Sequence, residues 1–144
     1  MSHGFQIERH IDATADEVFE ALTDPATQRE WWSPNRAVDA ECDLRVGGRA
    51  HVQWTAEEGH TCRAEQVFVE IDRPRLLVYR ETVIEPSSPV YECTLTITLE
   101  ERDGKTLFTL VHEGFPTEAE RDKHERGTGI FLDRLTRYVS RAPV

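Results

Sequence analysis

His112 is the residue whose neighbours best equip it to do chemistry. It shares a period-two stretch with Phe108 and Leu110, so a strand here turns all three side chains toward one interior. An inward histidine is a satisfied core residue, a polar anchor for a ligand, or a general acid/base tuned by burial. Glu113 is adjacent in sequence but points to the opposite face, so it does not serve as the orienting carboxylate. The chain contains no Gly-x-Ser-x-Gly elbow, no Gly-x-x-x-x-Gly-Lys loop and no His-Glu-x-x-His. Gly127-x-Gly129 follows no strand, which removes a nucleotide-loop reading. His60-x-Cys62 has no second pair at ligand spacing and reads as a loop entering a strand rather than a metal site. No triad, metal or cofactor is implied.

The second chemical feature is aromatic. Trp31, Trp32, Trp54, Phe68, Tyr79, Phe115 and Phe131 come from separate stretches of the chain. Ligand sites are apolar and aromatic clefts carrying a few placed polar groups. These seven residues and His112 form the candidate ligand-binding set, with a filled core as the other reading of the same residues.

The elements that must position them are legible from periodicity. Residues 5–11 read as a strand, with Phe5, Ile7 and Arg9 alternating against Gln6, Glu8 and His10. Thr14-Ala15-Asp16-Glu17 has the spacing of a capping box, and Val18, Phe19 and Leu22 follow as one helical stripe. Asp24-Pro25 closes this helix and opens a short second one, which Ser33-Pro34 ends. From residue 36 the period becomes two. Strands are expected over 49–54, 62–71, 76–83 and 91–99, and again through His112, with Arg102-Asp103-Gly104-Lys105 as a hairpin turn. Gly47-Gly48 and Glu58-Gly59 are turn signals. Thr117-Glu118-Ala119-Glu120 reads as a second capping box, opening a helix to about residue 141. In that helix Phe131, Leu135 and Tyr138 share one side, flanked by Leu132 and Val139. Gly127 and Gly129 interrupt it at a propensity cost of ~1 kcal/mol each, so each needs a packing or functional reason, or a kink.

Composition narrows the class. Over 144 residues, 27 acidic against 17 basic side chains leave a net charge of −10, which argues against a phosphate backbone as partner. The longest apolar run, residues 76–79, is far short of the ~20 residues of a membrane span. Met1-Ser2-His3-Gly4 does not begin a signal peptide, and Cys42, Cys62 and Cys93 form no even, dense framework. The expectation is a cytoplasmic, single-domain protein over residues 1–144, monomer or homodimer, with reduced thiols.

The order of elements resembles the helix-grip fold of the START and birch-pollen-allergen (SRPBCC) superfamily. In its residues the chain is most similar to the branch named for homologues of the heat-shock-protein ATPase activator, the AHSA-type domains. The branch's opening motif stands here as Arg9, Ile11, Ala13, Val18, Phe19, Ala21, Leu22, Thr23, Asp24, Pro25 and Trp31. Its Arg-x-Gly-Gly turn stands as Arg45, Gly47 and Gly48, and its His-x-Gly-Phe strand end as His112, Gly114 and Phe115. Where the branch places Gly-Trp in the last helix, this chain has Gly127-Thr128-Gly129-Ile130-Phe131.

The resemblance implies an α+β fold, β-α-α-β6-α, in which a curled antiparallel sheet of about seven strands wraps around a long C-terminal helix. It also implies an apolar cavity between sheet and helix, with the aromatic set gathered around it. It implies no single reaction, because the superfamily holds lipid binders, cyclases, hydroxylase subunits and chaperone regulators. Binding of a small apolar or aromatic molecule is the first expectation. A chaperone-regulating interaction module and a cyclase- or hydrolase-like enzyme using His112 are the alternatives.

Overall fold

The computed structural model describes residues 3–33, 38–55, 59–86 and 88–140. Met1, Ser2, Pro34, Glu58 and Arg141, to which the sequence reading gave roles, lie outside them. The elements run β1 (His3–Ile11), α1 (Ala15–Thr23), α2 (Pro25–Trp31), β2 (Val38–Cys42), β3 (Arg49–Thr55), β4 (Thr61–Asp72), β5 (Leu76–Ile84), β6 (Glu92–Arg102), β7 (Lys105–Phe115) and α3 (Glu118–Val139). One antiparallel sheet orders them β1-β7-β6-β5-β4-β3-β2. The architecture is the α+β helix-grip arrangement.

Neighbouring strands follow one another in sequence except at one place. β1 pairs with β7, so the first strand closes one edge while β2 forms the other. α1 and α2 carry the chain between those edges. The tight turns obey local stereochemistry: Asp103 and Gly104 both have positive φ, 54° and 77°, which a two-residue hairpin requires.

The helix starts divide into one full capping box and one half of one. Thr14 Oγ1 accepts from the Glu17 N–H at 3.1 Å, and the Thr14 N–H donates to Glu17 Oε1 at 2.9 Å. Asp24 then serves two helices: its N–H donates to Glu20 O at 2.8 Å, and its carboxylate accepts from the Ala26 N–H at 2.9 Å. At α3, Thr117 Oγ1 accepts from the Glu120 N–H at 3.2 Å, but Glu120 does not reach back. The expected second box is therefore only half formed. The Glu120 carboxylate is held elsewhere, accepting from Tyr91 Oη at 2.9 Å and lying 3.5 Å from Lys123 Nζ.

The core lies on the concave face of the sheet. Val18, Phe19, Leu77, Ile97, Phe108 and Leu110 are among its buried members. α3 is one continuous helix through both of its glycines. Its buried residues are Leu132 and Leu135, while Tyr138 is exposed, so the inward stripe is turned from the one the spacing predicted. The turn is explained by packing: α3 rests on β1, β7 and the two short helices at one side of the sheet. Phe131 consequently leans across to Trp31 and Trp32, with ring centroids 4.7 and 4.5 Å away.

Candidate functional site

Because α3 packs toward one side of the sheet, a cavity of about 360 Å³ remains between it and the central strands. Its floor is set by strand register. Phe68, Tyr79, Leu95 and His112 stand opposite one another across β4, β5, β6 and β7, one residue per strand on the same face. Gln66 and Glu81 form the adjoining row. Trp32, Trp54 and Phe131 cover one end, Trp32 meeting Trp54 at 6.0 Å between ring centroids. Glu85, Lys123 and Gly127 border the side that meets solvent.

Six of the eight residues singled out from sequence border this cavity: Trp32, Trp54, Phe68, Tyr79, His112 and Phe131. The other two stand behind its wall. Trp31 is buried, and its Nε1 donates to Ala21 O at 3.0 Å, locking α2 onto α1. Phe115 is buried against His112, with centroids 4.6 Å apart, and stacks on Phe5 at 5.8 Å. Both His112 and Phe115 face inward, although they are three residues apart on a strand. The intervening Gly114 permits this with φ of 110°, a conformation that favours glycine. A Cβ there would also lie 3.0 Å from Glu92 O.

The polar groups of the cavity fall into two sets. At the solvent side, Lys123 Nζ donates to Glu85 Oε1 at 2.8 Å and to Ser88 Oγ, and lies 3.5 Å from Glu120 Oε2. Burial opposes the lysine's charge, but Glu85 and Glu120 outweigh it and hold its pKa up. His124 is held below its ordinary value, by burial first and then by Lys123. Deeper in, burial drives His112 down to about 3, helped by His124, whose ring centroid is 6.2 Å away. His112 is therefore a neutral imidazole near neutral pH, and its buried Nδ1 has no hydrogen-bond partner among the described residues. Glu113 is exposed on the other face.

The second set is Gln66 and Glu81. Gln66 Nε2 donates to Glu81 Oε2 at 2.8 Å inside the wall. Burial pushes the Glu81 carboxyl up to about 6, against the lowering effect of that hydrogen bond. Neither residue was singled out from sequence. The signal was present as a polar residue in an inward row, Leu77, Tyr79, Glu81, Val83, which the alternation of β5 places on one face.

Comparison with protein-family models matches residues 12–140 to Activator of Hsp90 ATPase homolog 1-like protein. The chain belongs to that family. No curated protein matches it. Among solved structures, the chain is similar to the Mll3558 protein from Rhizobium loti. Identity is 24%, TM-score 0.80, and the match covers 96% of this chain and 97% of that one. Protein CV1439 from Chromobacterium violaceum gives 22% identity and a TM-score of 0.77, covering 96% and 99%. CalU16 from Micromonospora echinospora gives 25% identity and a TM-score of 0.71, covering 96% and 77%. These likenesses establish the helix-grip fold.

Two further properties of this family member bear on its site. Among the described residues, no three His, Cys, Asp or Glu side chains are grouped to hold a metal ion. No helix formed by the described residues is long and apolar enough to cross a membrane.

Proposed function

We propose that this protein binds a small, largely apolar or aromatic molecule in the cavity between α3 and the sheet. One observation carries the reading. Protein interiors are close-packed and leave few voids larger than a water molecule, yet here about 360 Å³ stands open beside the core. Ligand pockets occupy roughly 300–1,000 Å³ and combine aromatic walls with a few polar groups. Trp32, Trp54, Phe68, Tyr79 and Phe131 supply the walls, and His112 supplies a neutral ring that donates or accepts.

His112 favours anchoring over proton transfer. A general base works best with a pKa near the operating pH, and burial sets this one at about 3. Among the described residues, no carboxylate accepts from its buried Nδ1.

A thermal-shift screen with small apolar and aromatic compounds tests the proposal. A true ligand at a hundredfold excess over Kd stabilises the folded state by about 2.7 kcal/mol. The family's description supports a second reading, regulation of a chaperone ATPase. Stimulated ATP turnover by purified Hsp90, with no stabilisation by any compound of a broad set, would move the assignment there.

A further inference from the structure

Glu81 is the polar group of the cavity that anchoring by His112 does not use. It lies on the inward face of β5 between Tyr79 and Val83, all three bordering the cavity. Its hydrogen-bond partner is the neutral amide of Gln66, on Oε2 at 2.8 Å. The two cationic side chains of the lining are committed elsewhere. Lys123 is held by Glu85, Glu120 and Ser88, and Arg134 Nη2 donates to Trp32 O at 3.2 Å. His112 carries no positive charge near neutral pH.

A carboxylate in an apolar wall costs free energy unless a cation or several donors meet it. Gln66 provides one neutral donor. Phe68 and Tyr79 occupy the next row of the floor, and aromatic rings attract cations to their faces. Charge and surroundings thus complement the same kind of ligand group.

We propose that the cavity selects an amphipathic molecule whose protonated amine seats on Glu81 while its apolar body lies against the aromatic walls. This rests on the ligand-binding reading above and specifies the ligand's polar end. A charge-assisted hydrogen bond made away from water is the contact that discriminates the amine from its neutral or anionic analogues.

Three probes with one body test it: naphthylmethylamine, naphthylmethanol and naphthoate, titrated by calorimetry at neutral pH against the parent protein and Glu81→Gln. The expected order is amine first, alcohol second, naphthoate weakest. Glu81→Gln should weaken the amine about 10- to 100-fold and the alcohol less than about threefold. The amine-to-alcohol ratio in the parent protein needs no variant, so it stands even where Glu81→Gln folds poorly. An alcohol that binds as tightly as the amine overturns this inference and leaves the cavity as a ligand site. An equal loss of all three probes in a folded Glu81→Gln does the same. Failure of every probe to bind the parent protein overturns the ligand-binding reading itself, and the inference with it.

Discussion

Gln66 and Glu81 face each other directly across β4 and β5, joined by one hydrogen bond of 2.8 Å between side chains that both line the cavity. The pair is one strand row from His112, on the same concave face. Burial has opposite consequences for the two titratable groups. It raises the carboxyl of Glu81 and lowers the imidazole of His112, in both cases disfavouring the charged form.

Glu81 should therefore cost the fold stability at neutral pH. Its carboxyl is raised from 4.5 to about 6, so between these values the folded state holds the proton more tightly than the unfolded one. Stability from this group falls as pH rises through that window and is lowest above it. Glu81→Gln should raise the free energy of unfolding above pH 6 by up to about 2 kcal/mol, read from denaturant curves, with the gain fading toward pH 4.5. A gain that does not change with pH would mean that the carboxyl is not desolvated as the geometry requires.

His112 carries the opposite dependence. Its pKa falls from 6.5 to about 3 on folding, so the unfolded state binds the proton first as pH drops. Stability from this group is full above pH 6.5 and is lost progressively toward pH 3. His112→Gln should make the protein less acid-sensitive across that range, measured as the change in denaturant midpoint between pH 7 and pH 5. An unchanged acid sensitivity would show that the histidine is hydrated. In the ligand-bound protein the same substitution should weaken affinity about three- to tenfold, the loss of one neutral hydrogen bond. A product formed by the parent protein and lost in His112→Gln would instead make the residue a proton carrier.

The two helix starts should respond unequally to losing their caps. Thr14→Ala removes the side-chain half of a reciprocal pair of hydrogen bonds at a partly buried site and should cost about 1–2 kcal/mol. Thr117→Ala removes one exposed bond and should cost about 0.5–1 kcal/mol. Chemical denaturation of the two variants side by side checks the ranking, and equal losses would contradict the half-formed box at α3.

That contrast shows where sequence reasoning holds and where it stops. Strand alternation puts Tyr91, Cys93, Leu95, Ile97 and Leu99 on one face, because register follows from a local period of two. β6 buries the last four, while Tyr91, just before the strand, is half-buried. Spacing alone gave Thr14 and Thr117 the same motif. It did not reveal that Tyr91 and Lys123, distant or on the next turn, would claim the Glu120 carboxylate. Aromatic type was also no guide to position. Trp31 and Trp32 are neighbours, yet one seals α2 against α1 and the other borders the cavity. Glu81 went unnoticed because a single polar residue in an apolar row becomes meaningful only once the opposite wall is absent.

Gly127 supplies the last test, because its two properties pull in opposite directions. It lies inside α3, where glycine is a poor helix former, yet a Cβ built there meets nothing within 4 Å. No steric conflict demands glycine, and the helix does not break at it. Gly127→Ala should therefore stabilise the protein by about 0.5–1 kcal/mol through backbone entropy and helix propensity. Gly127 also borders the cavity beside Lys123 on the solvent side, so a large side chain projects where a ligand must pass. Gly127→Phe should slow ligand association more than Gly127→Ala does, while both variants remain folded. Stopped-flow quenching of Trp32 and Trp54 fluorescence measures that rate, with circular dichroism as the check on the helix. Equal association rates for parent protein and Gly127→Phe would place the route into the cavity elsewhere, and a loss of stability in Gly127→Ala would mean that α3 needs the glycine after all.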